Sequence, residues 1–199
     1  MARQSDRTRK AKKPKPRRAD EATLTKAALG YLQRYASSRL NLRRVLMRRL
    51  ERAARAYGTD KTDGIALIDT ILDRCESAGL IDDTRYAHRT AEMFLARGES
   101  LRAIRSRLGQ KGVAAALIEE AVNALERTTP RPDLAAAIAL VRRRRLGPYR
   151  PRASREKYYQ KDLGVLARAG FSFDLARRVI EADDEEALSR WLDEATTLF

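Results

Sequence analysis

The fold of this protein is decided between residues 79 and 125, where the chain reads GLIDDTRYAHRTAEMFLARGESLRAIRSRLGQKGVAAALIEEAVNAL. The segment is divided by polar or glycine residues at 82–83, at 98–100 and at Gly112. Its apolar residues recur at the spacing of an amphipathic helix, and arginines fill the gaps between them. These apolar residues are Tyr86, Phe94, Ile104, Leu108, Leu117, Ile118, Ala121 and Leu125. The segment therefore predicts three short helices in a row.

The apolar pattern of the third of these helices occurs three times along the chain. The copies are Leu67, Ile68, Ile71 and Leu72; Leu117, Ile118, Ala121 and Val122; and Leu175, Ala176, Val179 and Ile180. A glycine followed by an apolar residue precedes the second and third copies, at 112–113 and 170–171. This order is typical of a left-handed helix C-cap with a hydrophobic contact across it. One such unit has too little core to be stable alone, so we expect neighbouring units to stack.

Almost all of the chain between residues 22 and 183 has helical patterning, and no run alternates apolar and polar residues in the way a strand does. We therefore predict an all-α protein of three tandem three-helix repeats at 22–80, 81–127 and 133–182. A disordered basic tail at 1–21 precedes them, and an acidic helix containing Trp191 follows at 183–199. We expect Trp191 to anchor this last helix against the third repeat.

The chain is strongly basic, with 42 Lys+Arg against 27 Asp+Glu and a formal net charge of +15. Such a balance implies a polyanionic partner, most often nucleic acid, or an anionic membrane surface. The first twenty residues contain nine basic and two acidic residues, and Pro14 and Pro16. Having almost no apolar residues, this tail cannot form a core. It is either a solubilising segment or an electrostatic arm that binds nucleic acid without sequence preference.

Compartment and membrane association can also be inferred from composition. No apolar run approaches the roughly 20 residues needed to cross a bilayer, and the N-terminus has no apolar signal core. Cys75 is the single cysteine, which excludes an internal disulfide and suits a reducing compartment. We expect a cytoplasmic protein that is not inserted in a membrane.

No catalytic motif is found in the sequence. It has neither a glycine-rich phosphate loop ending in Lys-Ser/Thr nor a GxGxxG. His88 is the only histidine, so a zinc site or a Cys–His pair would depend on carboxylates or distant residues. Asp82 and Asp83 open a helix, where an N-cap and a negative charge are expected. We expect no enzyme activity, no catalytic residue, no metal and no cofactor.

The candidate binding residues are clustered cations. Guanidinium groups form planar forks of donors that suit phosphate and carboxylate oxygens. The alternative for each cluster is an ordinary solvated helix face. Within the run 142–145 the charges point around most of a helical turn, so Arg145 is expected to approach the apolar side. Tyr149, Tyr158 and Tyr159 lie near basic residues and could stack bases, although core packing is the commoner fate of such tyrosines. The candidates are Arg39, Arg43, Arg44, Arg48, Arg102, Arg105, Lys111, Arg142, Arg143, Arg144, Lys157 and Lys161.

Across residues 24–182 these motifs, taken in order, resemble the RecX family of RecA regulators. The most specific part is Gly-Leu-Ile-Asp-Asp at 79–83 followed by Arg-Tyr-Ala at 85–87. The likeness continues through 104–108 and 111–113. Ser38-Arg39 with Leu42 and Leu46 looks like the family's first-unit motif, and 170–174 resembles its third-unit ending. The basic tail and the acidic C-terminal end lie outside the shared core, and the stretch at 50–64 predicts an unusually long second helix or following loop.

The resemblance implies three helix-turn-helix-like repeats in an elongated arc. It also implies a non-enzymatic regulator that binds along the groove of the RecA–single-stranded DNA filament. Such binding would lower recombinase, ATPase and coprotease activity in DNA repair and the SOS response. We expect a monomer whose partners are RecA and single-stranded DNA, with double-stranded DNA as a further candidate. The alternative is a stand-alone helical DNA-binding protein, transcriptional or architectural. No helix, however, shows an obvious Asn/Gln/Arg set for reading base edges.

Overall fold

The computed structural model describes residues 17–197 of the 199-residue chain, with side chains through Glu194. The predicted disorder of the basic tail concerns mainly residues 1–16, which lie outside the described residues. Within 17–197 the chain forms ten α-helices and one short 3-10 helix, with no strand. The prediction of an all-α protein is confirmed. No helix in this range is long and apolar enough to cross a membrane.

The first nine helices follow one another in groups of three, here called the first, second and third units. The first unit contains α1 (Glu21–Leu32), α2 (Arg39–Tyr57) and α3 (Thr62–Ser77). The second contains α4 (Asp83–Ala96), α5 (Leu101–Gln110) and α6 (Ala115–Thr128). The third contains α7 (Pro132–Arg144), the 3-10 helix Gly147–Tyr149, α8 (Arg152–Arg168) and α9 (Phe173–Ile180). The last helix is α10 (Glu185–Thr197).

Local sequence explains where several helices begin and end. Ser38, Asp82 and Ser100 are N-caps whose side chains accept the backbone N–H three residues further on. After α5 and α8, Gly112 and Gly170 have φ values of 81° and 94°, which an L side chain adopts only with strain. The next amide donates back across the last turn in both places, as a Schellman C-cap requires. The predicted glycine caps are thus confirmed.

The sequence predicts a long second helix or a long following loop at 50–64, and residues 50–57 of this stretch belong to α2. α2 has 19 residues, whereas α5, the corresponding helix of the second unit, has 10. The apolar side of α2 buries Leu42, Leu46 and Leu50 against α1 and α3. Arg49 is exposed, since its flexible stem lets the charge reach solvent. The extra residues therefore lengthen the helix rather than the loop after it.

The buried apolar residues form two separate cores. The core of the first unit is made from α1, α2 and α3 together with Ile81. A larger core runs without interruption through α4 to α9 and includes Leu188 of α10, with Trp191 packed against it. The prediction that Trp191 anchors the last helix is confirmed. The second and third units therefore share one body, while the first unit has a core of its own.

Two junctions join the units with matching hydrogen bonds. At the first junction, between the first and second units, Ser38 Oγ donates to the carbonyl of Lys111. The amide of Arg39 donates to Asp83 Oδ1 over 2.8 Å. The N-terminus of α2 is thus hydrogen-bonded to the C-cap of α5 and to the first turn of α4.

The second junction, between the second and third units, repeats this pattern. Ser100 Oγ donates to the carbonyl of Ala169 over 2.9 Å, and the amide of Leu101 donates to Asp133 Oδ1 over 2.8 Å. The third unit has Pro151 at the position of the two serines, and no side chain caps α8. Since proline has no hydroxyl, the hydrogen bond that the two serines donate is missing at this position.

Candidate functional site

Two of the predicted binding arginines are paired within the chain. Arg39 contacts Asp73 at 2.6 Å and Glu76 at 2.7 Å. Arg43 contacts Asp69 at 2.8 Å, and this hydrogen bond lowers the pKa of the Asp69 carboxyl. The carboxylates lie one turn apart on α3, so α2 and α3 face each other through a row of ion pairs. A phosphate would have to compete with these carboxylates, which makes Arg39 and Arg43 weaker candidates.

The next two predicted arginines of α2 are exposed. Arg44 crosses the first junction, where its Nη1 donates to the carbonyl of Gln110 over 2.7 Å. Arg48 lies one turn further along and forms no ion pair with any residue of 17–197. Neither charge is neutralised by a carboxylate in this part of the chain. They remain predictions, and Arg48 is the more available of the two.

The predicted cations of the second unit differ in the same way. Arg105 is paired with Glu119 at 3.1 Å, so its charge is partly satisfied. Arg102 is exposed near the start of α5, and no described carboxylate pairs with it. The backbone carbonyl of Lys111 accepts a hydrogen bond from Ser38, and Lys111 also lines the groove described below. Arg102 and Lys111 are therefore the stronger candidates here.

The arginine run ends α7. Arg142, Arg143 and Arg144 are exposed, and α7 stops at Arg144. The expectation that Arg145 approaches the apolar side is wrong. Arg145 takes a left-handed conformation (φ 53°) and stays exposed, and Leu146 occupies the buried position instead. A helical periodicity cannot be extended past the residue at which the helix ends.

One cation beside this run was not among the residues predicted from the sequence. Arg168, in the last turn of α8, lines a small cavity of about 190 Å³ together with Arg144. Two arginines from separate helices thus meet near the second junction. The signal available in the sequence was the position of Arg168 just before Ala169-Gly170, which parallels Gln110 before Lys111-Gly112.

The three tyrosines considered for base stacking have different surroundings. Tyr159 Oη donates to Glu181 over 2.6 Å, a bond that raises the pKa of Tyr159, and its ring packs against the larger core. Tyr149 also packs against that core, and burial raises its pKa. Tyr158 instead lies among cations, with Arg150, Lys157 and Lys161 around its ring. These four residues are called the Tyr158 cluster.

A groove of about 610 Å³ lies along the first junction. Its apolar part is formed by Leu80 and Met93, which are 49% and 39% exposed. Arg85, Arg89 and Lys111 supply its cations. This groove was not predicted from the sequence, because Leu80 and Met93 lie 13 positions apart on separate segments and only the fold brings them together. An exposed apolar surface rimmed by charges is typical of a protein-binding site.

The paired aspartates have two different roles. Asp82 caps α4 by accepting the amide of Arg85, as predicted, and this bond lowers the pKa of Asp82. Asp83 is half-buried and accepts the amide of Arg39, and burial raises its pKa. Among the described residues no group of three His, Cys, Asp or Glu side chains could hold a metal ion. Cys75 is buried in the first core, which raises the pKa of its thiol.

These observations describe an all-α repeat protein. Its surface has unpaired cations, a tyrosine surrounded by cations and a partly apolar groove. In the comparisons with known proteins, the family described as "RecX, second three-helix domain" matches residues 82–122. The regulatory protein RecX of Myxococcus xanthus (strain DK1622) is 36% identical over 177 residues, which is 88% of this chain and 94% of that relative.

A second relative, the regulatory protein RecX of Agrobacterium fabrum (strain C58 / ATCC 33970), is 39% identical over 107 residues. This region is 54% of the chain and 55% of the relative. No solved structure gave a significant match. The chain therefore belongs to the RecX family of regulatory proteins, and the resemblance found in the sequence is confirmed.

Proposed function

We propose that this protein binds the RecA–single-stranded DNA filament as a monomer in the cytoplasm and lowers the recombinase, ATPase and coprotease activities of RecA. The observation that carries this proposal is the 36% identity to a regulatory protein RecX over 88% of the chain. We infer RecA as the target because the resemblance to the RecX family implies regulation of this recombinase.

The distribution of unpaired cations supports an extended polyanionic partner. Arg48 is exposed in the first unit, Arg102 in the second and Arg143 in the third, and none of them has an ion pair among residues 17–197. A filament of nucleic acid coated with protein offers negative charge at repeated positions along its axis. Each phosphate neutralised by such a cation releases a counterion, so we expect binding to weaken as salt is raised.

The groove at the first junction supports a protein component in that partner. Protein–DNA interfaces are more polar and more positively charged than protein–protein interfaces. Leu80 and Met93 give this groove an exposed apolar floor, which a phosphate backbone would not use. A filament made of RecA and DNA would match both kinds of surface.

Inhibition by such a protein requires no chemical step. A ligand that binds one filament state in preference to another shifts the population by its differential affinity. A chain lying in the filament groove would also compete with incoming duplex. Neither the population shift nor the competition with duplex needs a catalytic motif.

The proposal is tested by titrating the purified protein into the cognate RecA on single-stranded DNA. We expect ATP hydrolysis and strand exchange to fall as the protein approaches stoichiometric amounts. The same titration with residues 1–20 deleted measures the contribution of the basic tail. Rates that stay unchanged at stoichiometric amounts would overturn the proposal.

The same exposed arginines favour a second candidate, a stand-alone helical DNA-binding protein. Binding to duplex and to single strands, measured without RecA across a range of salt, separates the two. Tight and sequence-selective duplex binding would favour the second candidate. Weak binding that depends steeply on salt, together with an effect on RecA, would favour the first.

A further inference from the structure

The Tyr158 cluster surrounds one partly exposed ring with three cations. The guanidinium carbon of Arg150 is 4.5 Å from the centroid of the Tyr158 ring. The ammonium groups of Lys157 and Lys161 are 5.7 Å and 5.8 Å from the same centroid. Such distances place all three cations within the range of cation–π attraction. An aromatic ring on the surface is thus held in a strongly positive environment.

Arg150 has a partner inside the fold. Its Nε and Nη2 contact the two carboxylate oxygens of Asp162 at 2.6 Å and 2.8 Å. Asp162 is 1% exposed and also accepts the amide of Gly147. The Arg150 charge is therefore neutralised and its planar group is fixed in place. It acts as a support that orients the Tyr158 ring, and it is not free to bind an anion.

The two lysines have no such partner. Lys157 and Lys161 are exposed, and neither forms an ion pair within residues 17–197. They are one turn apart on α8, an arrangement in which like charges repel and destabilise the helix. An anion bound between or beside them would relieve this repulsion.

From this geometry we propose that the Tyr158 cluster binds single-stranded nucleic acid. One base stacks on the Tyr158 ring, and Lys157 and Lys161 contact the flanking phosphates. Stacking on aromatic side chains beside a basic track is how single strands are bound without sequence preference. An acidic protein segment would satisfy the lysines, but it would leave the ring without a matching π-face. The inference rests on the proposed function, because it assigns a single-strand contact within the same binding surface.

The test compares two fluorescent 15-mers with the full-length protein, by anisotropy and without RecA. One is oligothymidylate, and the other has the same phosphates but abasic sites in place of bases. Tyr158→Ala is expected to weaken binding to oligothymidylate about tenfold and to leave the abasic strand unaffected, since stacking is lost only where a base exists. Tyr158→Phe should retain near wild-type affinity because it keeps the ring, and an unchanged affinity of Tyr158→Ala for the abasic strand shows that this variant is folded.

The lysines are tested with the double variant Lys157→Gln and Lys161→Gln. Binding to both strands should weaken, and the salt dependence should fall by about 1.4 logarithmic units per decade, the value for two phosphates on a single strand. Tyr35→Ala is the matched control, because Tyr35 is 55% exposed in the first unit and packs against Tyr31 rather than against cations. It should leave both affinities unchanged.

Several outcomes would overturn the inference. These are no binding of oligothymidylate by the wild type, an unchanged affinity in Tyr158→Ala, or an equal loss on both strands. Competition by poly-glutamate that depends on Tyr158 as strongly as competition by oligothymidylate would assign the cluster to an acidic protein surface instead. Failure of the proposed function is a separate result, because it is read from RecA ATPase and strand exchange with the wild-type protein.

Discussion

The two junctions between units use the same hydrogen bonds but differ in what surrounds them. At both, a serine N-cap donates to a helix C-cap of the next unit, and the following amide donates to an aspartate. The first junction lies between two separate cores and is bordered by an open groove. The second is enclosed by a single core that runs from α4 to α10. The polar pattern therefore sets the geometry of stacking, and apolar burial decides how firmly the units hold together.

A glycine shows the difference most directly. Gly98 has a φ of 78°, and a Cβ built on it would be 2.8 Å from the carbonyl oxygen of Ala136 and from the amide of Leu140. At the first junction, the three atoms nearest to a Cβ on Gly112 would be the Cβ, Cγ and Cδ2 of Leu40, at 2.8, 3.0 and 3.1 Å. At the second junction the glycine thus lies against the backbone of α7, whereas at the first it lies against the side chain of Leu40.

The largest expected effect comes from Gly98→Ala. The new methyl group would be both strained in its backbone and forced against α7, which together cost about 3 kcal/mol of unfolding free energy. Gly112→Ala should cost less, about 2 kcal/mol, because its nearest contacts are side-chain atoms of one residue, Leu40, rather than the backbone of a helix. The measurement is urea unfolding followed by circular dichroism. Gly58→Ala is the control, since Gly58 has a φ of 66° and nothing within 4 Å, so only the backbone cost of about 1 kcal/mol applies. Equal losses at 58 and 98 would contradict the close packing at the second junction.

A smaller effect is expected from removing the junction serines. Ser38→Ala and Ser100→Ala each delete an N-cap and remove the hydroxyl that donates to a carbonyl of the next unit, at a cost of about 2 kcal/mol. Hydrogen exchange should locate the loss in α1–α3 for Ser38→Ala and throughout α4–α10 for Ser100→Ala. Ser172→Ala removes a cap with no bond across a junction, and should cost about 1 kcal/mol. Uniform loss of protection in both junction variants would mean that the two cores unfold as one.

The smallest expected effect concerns pH at the first junction. Burial raises the pKa of Asp83, so the folded protein holds this proton more tightly than the unfolded chain does. The resulting stability is fully present below the unfolded pKa and is lost as pH rises through the folded value. Asp83→Asn keeps an oxygen to accept the Arg39 amide and should reduce this pH dependence, with stability at neutral pH unchanged or slightly higher.

Asp82→Asn provides a control of opposite sign. Backbone hydrogen bonding from Arg85 lowers the pKa of Asp82, so its contribution is present above the unfolded pKa and is lost as pH falls through the folded value. Unfolding curves recorded between pH 3 and pH 7 should separate the two carboxyls. Identical pH profiles for the two variants would contradict the burial of Asp83.

The sequence was a good guide to features that depend on neighbouring residues. Helix starts at Ser38, Asp82 and Ser100, and the glycine ends of α5 and α8, follow from local hydrogen bonding and backbone sterics. The family could be recognised for the same reason, since its motifs are these caps and the apolar residues between them. The clusters of cations were visible as well, because charge can be counted without a structure.

Contacts between side chains that are far apart in the chain could not be predicted from the sequence in the same way. The sequence treats Arg43 and Arg48 alike, yet α3 presents Asp69 to Arg43 and no carboxylate to Arg48. Tyr158 and Tyr159 are adjacent, but three cations lie over the Tyr158 ring while Tyr159 donates to Glu181, because successive helical residues point about 100° apart. The binding role of every predicted cation remains a prediction, now with a structural reason for preferring the unpaired ones.

The sequence by itself thus determined the helices and their caps, which depend on residues within a few positions of each other. It also determined the repeated apolar pattern and the positive charge, which can be read by comparing and counting residues. Only the tertiary structure decided that the second and third units share one core while the first keeps its own. It also decided which arginines are neutralised and where Leu80 and Met93 form a groove. These outcomes depend on contacts between residues far apart in the chain, whose free energy no local pattern contains.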